Sequence, residues 1–281
     1  LFEFMELFDL TTFKCSKLIT QHYSTSFTLG IRTLHKRFHY PIYAIYGFVR
    51  YADEIVDTFH QHDKSTLLNR FERETYQAIE EKISLNPVLH SFQSVVNQYN
   101  IPKDLIIAFL RSMRMDLDQQ TYDDPLYHEY IYGSAEVVGL MCLRVFCEGD
   151  DAQYQSLEEP ARKLGAAFQK VNFLRDIKSD YDERGRVYFP DVNFNDFTQT
   201  AKQQIEQDIQ QDFDEAYQGI LRLPSGSKLG VYLAYVYYLN LFKKIKQCSA
   251  TRIAEERIRI PDNQKIALLI GTYFRHRFNY L

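Results

Sequence analysis

Four aspartates in this chain form two pairs, each with the spacing of about one helical turn. Asp53 and Asp57 lie in "RYADEIVDTF", and Asp176 and Asp180 lie in "NFLRDIKSDY". Carboxylate oxygens suit hard cations such as Mg²⁺ or Mn²⁺, and Mg²⁺ in proteins usually completes its shell with water and phosphate oxygens. The two pairs therefore predict a site that holds metal ions against a diphosphate.

The first pair continues the apolar stripe of its predicted helix instead of occupying the solvated face. With 3.6 residues per turn, one narrow arc contains Ile42, Tyr46, Val49, Asp53 and Asp57. Arg50 lies at the edge of the same arc, one turn before Asp53. A guanidinium matches the geometry of phosphate oxygens, so Arg50 is a candidate diphosphate ligand.

The second pair ends a polar line on a helix that otherwise looks packed. Gly165, Gln169, Asn172, Asp176 and Asp180 share one face, and apolar residues surround them. Unpaired buried charges cost several kcal/mol each, so this line requires a partner such as a cation. The alternative is that both aspartate pairs are solvated surface carboxylates. This alternative is disfavoured because both pairs are predicted to face inward and both have polar neighbours.

Helical periodicity dominates the chain, and we predict one all-α domain over residues 1–281. Eleven glycines and eight prolines in 281 residues favour long helices with short connections. Pro41, Pro87, Pro102, Pro125 and Pro261 are each placed at a helix start, and residues 181–198 are predicted to be non-helical. The predicted helices cover residues 12–20, 24–36, 41–59, 64–82, 87–98, 102–117, 125–147, 152–179, 199–221, 225–247 and 262–280.

Composition narrows the class of partner and the compartment. A net charge of −4 and a pI of about 6.1 give no electrostatic footprint for nucleic acid. The four cysteines show no metal-ligand spacing and are predicted to be free thiols in a reducing, cytoplasmic setting. No signal peptide is recognised, and the apolar run 229–242 is shorter than a membrane span. Peripheral contact with a membrane and the oligomeric state are left open.

Both acidic segments resemble the aspartate-rich motifs of the squalene/phytoene synthase family. The matching stretches are "RYADEIVD" and "GAAFQKVNFLRDIKSD" followed by "RGRVYFP", together with "YSTSF", "YIYGSAEVVGLM" and "YYLNLFKKI". The resemblance covers roughly residues 15 to 260. It implies a class I isoprenoid synthase fold, which is a helical bundle around a central cavity.

The resemblance implies head-to-head joining of two prenyl diphosphates through a cyclopropyl-carbinyl diphosphate. The metal ions would be held by Asp53, Asp57, Asp176 and Asp180, with Asn172 as a further ligand. The remaining candidates bind substrate: Ser24, Ser26, Phe27, Arg50, Gln169, Asn172, Arg175 and Arg186. Tyr130 and Tyr238 join the aspartates as catalytic residues, and Tyr235 competes with Tyr238 for that role. Aromatic faces stabilise passing carbocations, for which Phe27, Tyr46 and Phe168 are further candidates.

The family contains enzymes that differ in substrate length and in the use of a reductant. "GRVYFP" and "ERIRIP" look more like bacterial phytoene synthases, so we expect two geranylgeranyl diphosphates, Mg²⁺ and no NADPH. The alternative is a C30 dehydrosqualene or squalene synthase that uses farnesyl diphosphate. A class I terpene cyclase and a non-catalytic helical scaffold are the more distant alternatives. The arginines of "DERGRVYFP" are either a lid over the diphosphates or part of a solvated loop.

Overall fold

The chain folds into a bundle of α-helices. The computed structural model describes residues 6–118, 121–190, 192 and 197–259, with the side chains of residues 183 and 184 outside that description. Within those residues the helices are α1 (Leu7–Tyr23), α2 (Thr25–Thr33), α3 (Lys36–Asp57), α4 (Lys64–Glu81), α5 (Pro87–Tyr99), α6 (Lys103–Asp118), α7 (Asp124–Ile131), α8 (Val137–Cys147), α9 (Asp151–Arg184), α10 (Gln199–Arg222), α11 (Ser225–Lys246) and α12 (Ala250–Glu255). The predicted all-α class is confirmed.

Helix α3, which carries the first aspartate pair, begins five residues earlier than predicted. His35 caps the helix by accepting a hydrogen bond from the Arg37 amide at 3.4 Å, and Phe38 in the added turn is fully buried. Pro41 therefore lies inside the helix and not at its start, which corrects the prediction. Burial of Phe38 and the cap offset the hydrogen bond that a proline removes from a helix.

One π-helical turn, Tyr132–Glu136, joins α7 to α8 where a single α-helix was predicted. Gly133 in this turn lies so close to α6 that a Cβ atom on it would be 2.5 Å from the Ala108 carbonyl oxygen. The whole stretch Asp124–Cys147 is long and apolar enough to cross a membrane, but 56% of its most apolar window is buried inside the protein. Such burial is typical of a core helix.

Helix α9 carries the second aspartate pair and runs farther than predicted, to Arg184. Gly185, with φ +65°, ends it: the Arg186 amide donates to the Asp180 carbonyl at 2.9 Å, and the Gly185 amide donates to the Tyr181 carbonyl at 3.0 Å. This left-handed glycine cap turns the chain sharply. A bridge between Thr121 and Val187 then holds the following segment against the chain after α6. Residues 181–184 are therefore helical, contrary to the prediction.

The core consists of two clusters of buried side chains. One includes Phe38, Phe48 and Phe92, with Phe48 and Phe92 stacked at 3.9 Å between ring centroids. The other includes Leu174 on α9 and Phe213 on α10. All four cysteines are free, as predicted. Pro261 and the predicted helix 262–280 lie outside the described residues.

Candidate active site

Both aspartate pairs line one cavity of about 1010 Å³. Helix α3 contributes the predicted arc from Ile42 to Asp57, and α9 contributes the line from Gly165 to Asp180. Because both helices bury their apolar neighbours in the core, the polar residues of each stripe are directed at the space between them. The residues predicted for the site line this cavity, except Tyr235, which competes with Tyr238.

The first pair is accompanied by two arginines. Arg50 Nη1 lies 2.7 Å from Asp53 Oδ2, and the same guanidinium contacts Glu54 one turn on. Its Cζ also lies 4.4 Å above the ring of Tyr23. Arg186 Nη1 approaches Asp57 Oδ1 at 3.7 Å. These cations offset the charge that two carboxylates place on one face of a helix.

The second aspartate pair also has two arginines beside it. Arg175 Nε donates to Asp176 Oδ1 at 3.0 Å, and Arg257 Nε lies 2.6 Å from the same oxygen. The side-chain hydrogen bond to Asp176 contributes most to raising the pKa of Arg175, against the opposing effect of its burial. Asp180 is 6% exposed, and its main-chain carbonyl holds the turn after α9.

The donor types of both pairs fit a metal ion that arrives together with a diphosphate. Among the described residues, no group of three or more His, Cys, Asp or Glu side chains is arranged to hold a metal ion. Mg²⁺ is often bound by only one or two carboxylates, with waters and phosphate oxygens as the other ligands. Two separate carboxylate pairs facing one cavity meet that requirement.

The N-terminal end of α2 forms another wall of the cavity. Ser24 is the N-cap, accepting a hydrogen bond from the Phe27 amide at 3.2 Å, and Ser26 follows in the first turn. Phe27 is 43% exposed, and its ring lies 5.5 Å from that of Tyr46. A helix N-terminus with serine hydroxyls suits an anionic ligand. The predicted role of these serines is compatible with their position.

Tyr238 on α11 faces the polar line of α9. Its hydroxyl donates to Asn172 Oδ1 at 3.3 Å, and its ring stacks on Phe168 at 4.0 Å between centroids. Burial raises the pKa of Tyr238, so the phenol is neutral at physiological pH. Tyr235, the competing candidate, packs on Phe213 and is absent from the cavity wall. Position therefore favours Tyr238.

Arg186 is buried and does not lie in a solvated loop. Its guanidinium donates to the Tyr188 hydroxyl at 3.2 Å and to the Asp116 main-chain carbonyl at 2.6 Å, and only 8% of the residue is exposed. A lid that opens would have to break these contacts. The structure therefore contradicts the prediction that Arg186 belongs to a solvated loop. Arg186 is instead a fixed part of the cavity wall.

Three charged residues of the cavity wall were missed by the sequence analysis. Asp116 on α6 follows Phe109 and Met113 on the cavity-lining face, so the rule that selected Asp53 would also have selected it. Arg257 and Arg259 belong to the "ERIRIP" stretch, which was used only as a family resemblance. Their approach to α9 depends on the path of the chain after α12, and no local pattern encodes that path.

The rest of the cavity wall is almost entirely apolar. It includes Ile31, Leu34, Val138, Cys142, Phe146, Leu157, Leu164 and Ile220. A polar end that carries carboxylates and arginines, continued by hydrocarbon side chains, suits an amphiphile with an anionic head and a long hydrocarbon tail.

Curated relatives of this chain include synthases of long isoprenoids. The chain is 25% identical over 197 residues to 4,4'-diapophytoene synthase of Staphylococcus haemolyticus (strain JCSC1435), an alignment covering 68% of this chain and 66% of that protein. It is 27% identical over 252 residues to phytoene synthase 1, chloroplastic, of Zea mays, covering 81% of this chain and 60% of that protein. The chain thus spans only about two thirds or less of these relatives.

Solved structures share the fold. A dehydrosqualene synthase superposes with a TM-score of 0.79 at 23% identity, covering 96% of this chain and 98% of the other. The squalene synthase HpnC from Alicyclobacillus acidocaldarius gives a TM-score of 0.76 at 19% identity, covering 90% and 98%. The Squalene/phytoene synthase family matches residues 20–264, a span that contains both aspartate pairs and the helices between them. On that match, the chain belongs to the squalene/phytoene synthase family.

Proposed function

We propose that this protein is a metal-dependent prenyltransferase that joins two prenyl diphosphates head to head. The observation that carries the proposal is the convergence of Asp53, Asp57, Asp176 and Asp180 on one cavity that is lined mostly by apolar residues elsewhere. Family membership supports the same reaction. The proposed substrate is geranylgeranyl diphosphate, and the proposed product is phytoene.

The polar end of the cavity would bind the two diphosphates. Arg50, Arg175 and Arg257 already lie beside the carboxylates, so their guanidiniums are in reach of phosphate oxygens bound at the same place. Mg²⁺ held by the four aspartates, with Asn172 as a further oxygen donor, would supply Lewis-acid stabilisation of the leaving diphosphate. Ser24 and Ser26 would bind phosphate oxygens at the N-terminus of α2.

The apolar part of the cavity would protect the carbocations. These intermediates react with any water present, so the hydrocarbon wall is as necessary as the charged end. The stacked rings of Phe168 and Tyr238 lie next to Asn172 and line the same cavity. An aromatic face stabilises a nearby cation by about 0.5–2 kcal/mol without reacting with it.

The alternative substrate is farnesyl diphosphate, which gives a C30 product. A 4,4'-diapophytoene synthase among the relatives and a dehydrosqualene synthase among the structural neighbours favour this second candidate. Identities of 25% and 27% to the C30 and C40 enzymes do not separate the two. The bacterial-type "GRVYFP" stretch supports the C40 assignment. We propose no NADPH requirement, and a cytoplasmic protein that contacts membranes peripherally.

Product identification tests the proposal. The protein is incubated with Mg²⁺ and either farnesyl or geranylgeranyl diphosphate, with and without NADPH, and the extracts are analysed by mass spectrometry. The proposal predicts a C40 hydrocarbon from geranylgeranyl diphosphate that does not depend on NADPH. A C30 product alone would move the assignment to the alternative. Prenyl alcohols alone would contradict head-to-head joining.

A further inference from the structure

Asp116 belongs to neither aspartate pair but lines the same cavity. It lies near the C-terminal end of α6, and only 8% of the residue is exposed. A carboxylate this deeply buried is expensive unless several donors surround it. The groups that donate hydrogen bonds to Asp116 therefore indicate its role.

Three side-chain donors converge on the Asp116 carboxylate. The Tyr130 hydroxyl donates to Oδ2 at 2.8 Å, the Tyr188 hydroxyl donates to Oδ1 at 3.3 Å, and Arg186 Nη1 lies 3.1 Å from Oδ1. Arg186 Nη2 also donates to the main-chain carbonyl of Asp116 at 2.6 Å. The donors come from α7 and from the segment after α9, so a single carboxylate connects three parts of the chain.

Tyr130 is fixed by rings as well as by this hydrogen bond. The rings of Tyr122, Tyr188 and Phe173 lie 5.2, 5.1 and 5.9 Å from its own, measured between centroids. Tyr188 in turn stacks on Phe173 at 4.1 Å. The hydroxyl proton of Tyr130 is directed at Asp116, because that hydroxyl donates to Asp116 Oδ2. Tyr130 lines the cavity, and its hydroxyl also hydrogen-bonds with that of Tyr188, which further restricts its rotation.

We propose that Asp116 is a positioning residue that orients the Tyr130 hydroxyl dipole, with its negative end towards the reacting carbocations. A phenol that was free to rotate would present its proton, the positive end of the dipole, in part of the population. The inference rests on the proposed function, in which Tyr130 contacts the reacting molecule. Arg186 completes the arrangement by linking Asp116 to Asp57, whose Oδ1 is 3.7 Å from Nη1.

A double-mutant cycle between Asp116→Asn and Tyr130→Phe tests this role. The Asn side chain retains one acceptor but places an N–H₂ donor against one of the donors that now converge there. We expect kcat to fall about 10- to 100-fold, the factor for losing a buried hydrogen bond to a charged acceptor. KM should change less than about threefold, because Arg186 is the one diphosphate-binding candidate that we find in contact with Asp116, and its bond to the Asp116 main-chain carbonyl does not depend on the Asp116 side chain.

The decisive measurement is the fall in kcat that Asp116→Asn causes when Tyr130 is already Phe, because no hydroxyl then remains to be oriented. The proposal expects Asp116→Asn to lower kcat there by less than about threefold, since coupled residues are non-additive. An equal loss in both backgrounds would show that Asp116 acts independently of Tyr130 and would overturn the inference.

Two further variants separate this role from general destabilisation. Asp118→Asn changes an exposed carboxylate two residues along the same helix and should leave kcat unchanged. If Asp116→Asn does not fold, Tyr188→Phe removes one of the donors with minimal change of shape, and its loss of kcat should also vanish beside Tyr130→Phe. Wild-type protein that forms no coupled product would overturn the proposed function and this inference together. Additive losses in an active enzyme would overturn only the inference.

Discussion

Asp53, Asp57 and Asp176 each lie beside a guanidinium. Arg50 contacts Asp53, Arg186 approaches Asp57, and Arg175 contacts Asp176. Charge pairs of this kind, at a half-buried site, stabilise the fold only modestly. Under the proposed function their larger consequence is for binding, because the same arginines would turn from carboxylate to phosphate when a diphosphate binds.

Removing one carboxylate from either pair should abolish turnover and preserve the fold. We expect Asp53→Ala and Asp176→Ala each to lower kcat at least about 100-fold, the scale of losing an electrostatic stabiliser of a developing charge. The side chains are 36% and 17% exposed, so little packing is lost. Steady-state kinetics and circular dichroism provide the measurements. Asp182→Asn, an exposed carboxylate on α9, is the matched control. Near-normal turnover in either Ala variant would refute the metal assignment.

Asp116 predicts a pH dependence of stability. Burial raises the pKa of Asp116 from 3.8 to about 7, reinforced by Asp57 and Asp53 and opposed by Arg186 and Tyr130. Between about pH 4 and 7 the native protein therefore retains a proton that the unfolded chain releases. The free energy of unfolding contributed by this group falls as pH rises through that window.

Urea unfolding of wild type and Asp116→Asn between pH 4 and 8 measures this contribution. The wild type should lose stability relative to the variant as pH rises, because the Asn side chain has no proton to release. Parallel pH curves for the two proteins would contradict the assignment of the titration to Asp116.

At the scale of helices, much of the site could be predicted from periodicity. The cavity-facing residues of α3 and α9 could be predicted because burial of an apolar helix face fixes the direction of every third or fourth side chain. The π-helical turn could not be predicted in this way: its Gly133 packs closely against Ala108 on α6, and no local pattern encodes that contact. The true start of α3 was missed because burial of Phe38 outweighs the local preference of Pro41 for a helix start.

Replacing glycine by alanine should have opposite effects on stability at two positions, because Gly165 on α9 packs closely against the π-helical turn and Gly30 on α2 has free space around it. A Cβ on Gly165 would lie 2.8 Å from the Ala135 carbonyl oxygen, whereas a Cβ on Gly30 would meet nothing nearer than 4.0 Å. Gly165→Ala should lower the free energy of unfolding by about 1–3 kcal/mol through overpacking. Gly30→Ala should raise it by about 0.5–1 kcal/mol through helix propensity. Urea denaturation of the two variants measures both changes in the free energy of unfolding. Equal changes in the two variants would contradict the close packing at Gly165.

At the scale of the whole molecule, the cavity exists only because helices far apart in sequence surround it. Residues from α2, α3, α6, α9 and α11 meet there. The sequence predicted the polar end through its motifs, but the depth of the apolar part depends on packing between distant elements. For this reason the sequence supports the proposed diphosphate chemistry more firmly than the proposed length of the substrate. The single-domain organisation over residues 1–281 stays a prediction.

Metal and diphosphate should stabilise the whole protein only together. Each ligand alone meets an incomplete site, because the aspartates lack phosphate partners and the arginines are paired with aspartates. At about 100 times Kd for the combination, we expect a rise of roughly 5 °C in Tm. Differential scanning fluorimetry with Mg²⁺, inorganic diphosphate or both measures it, with Asp176→Ala as the control that should not respond. Additive shifts from the separate ligands would argue against a shared site.

The most direct test of the central claim is a crystal structure with Mn²⁺ and an unreactive prenyl diphosphate analogue, in which anomalous scattering locates the metal. The account predicts Mn²⁺ peaks bound to carboxylate oxygens of both Asp53 or Asp57 and Asp176 or Asp180, bridged by the diphosphate, with the prenyl tail in the apolar part of the cavity. Mn²⁺ and diphosphate bound elsewhere, or bound to one aspartate pair with the other facing empty solvent, would contradict it.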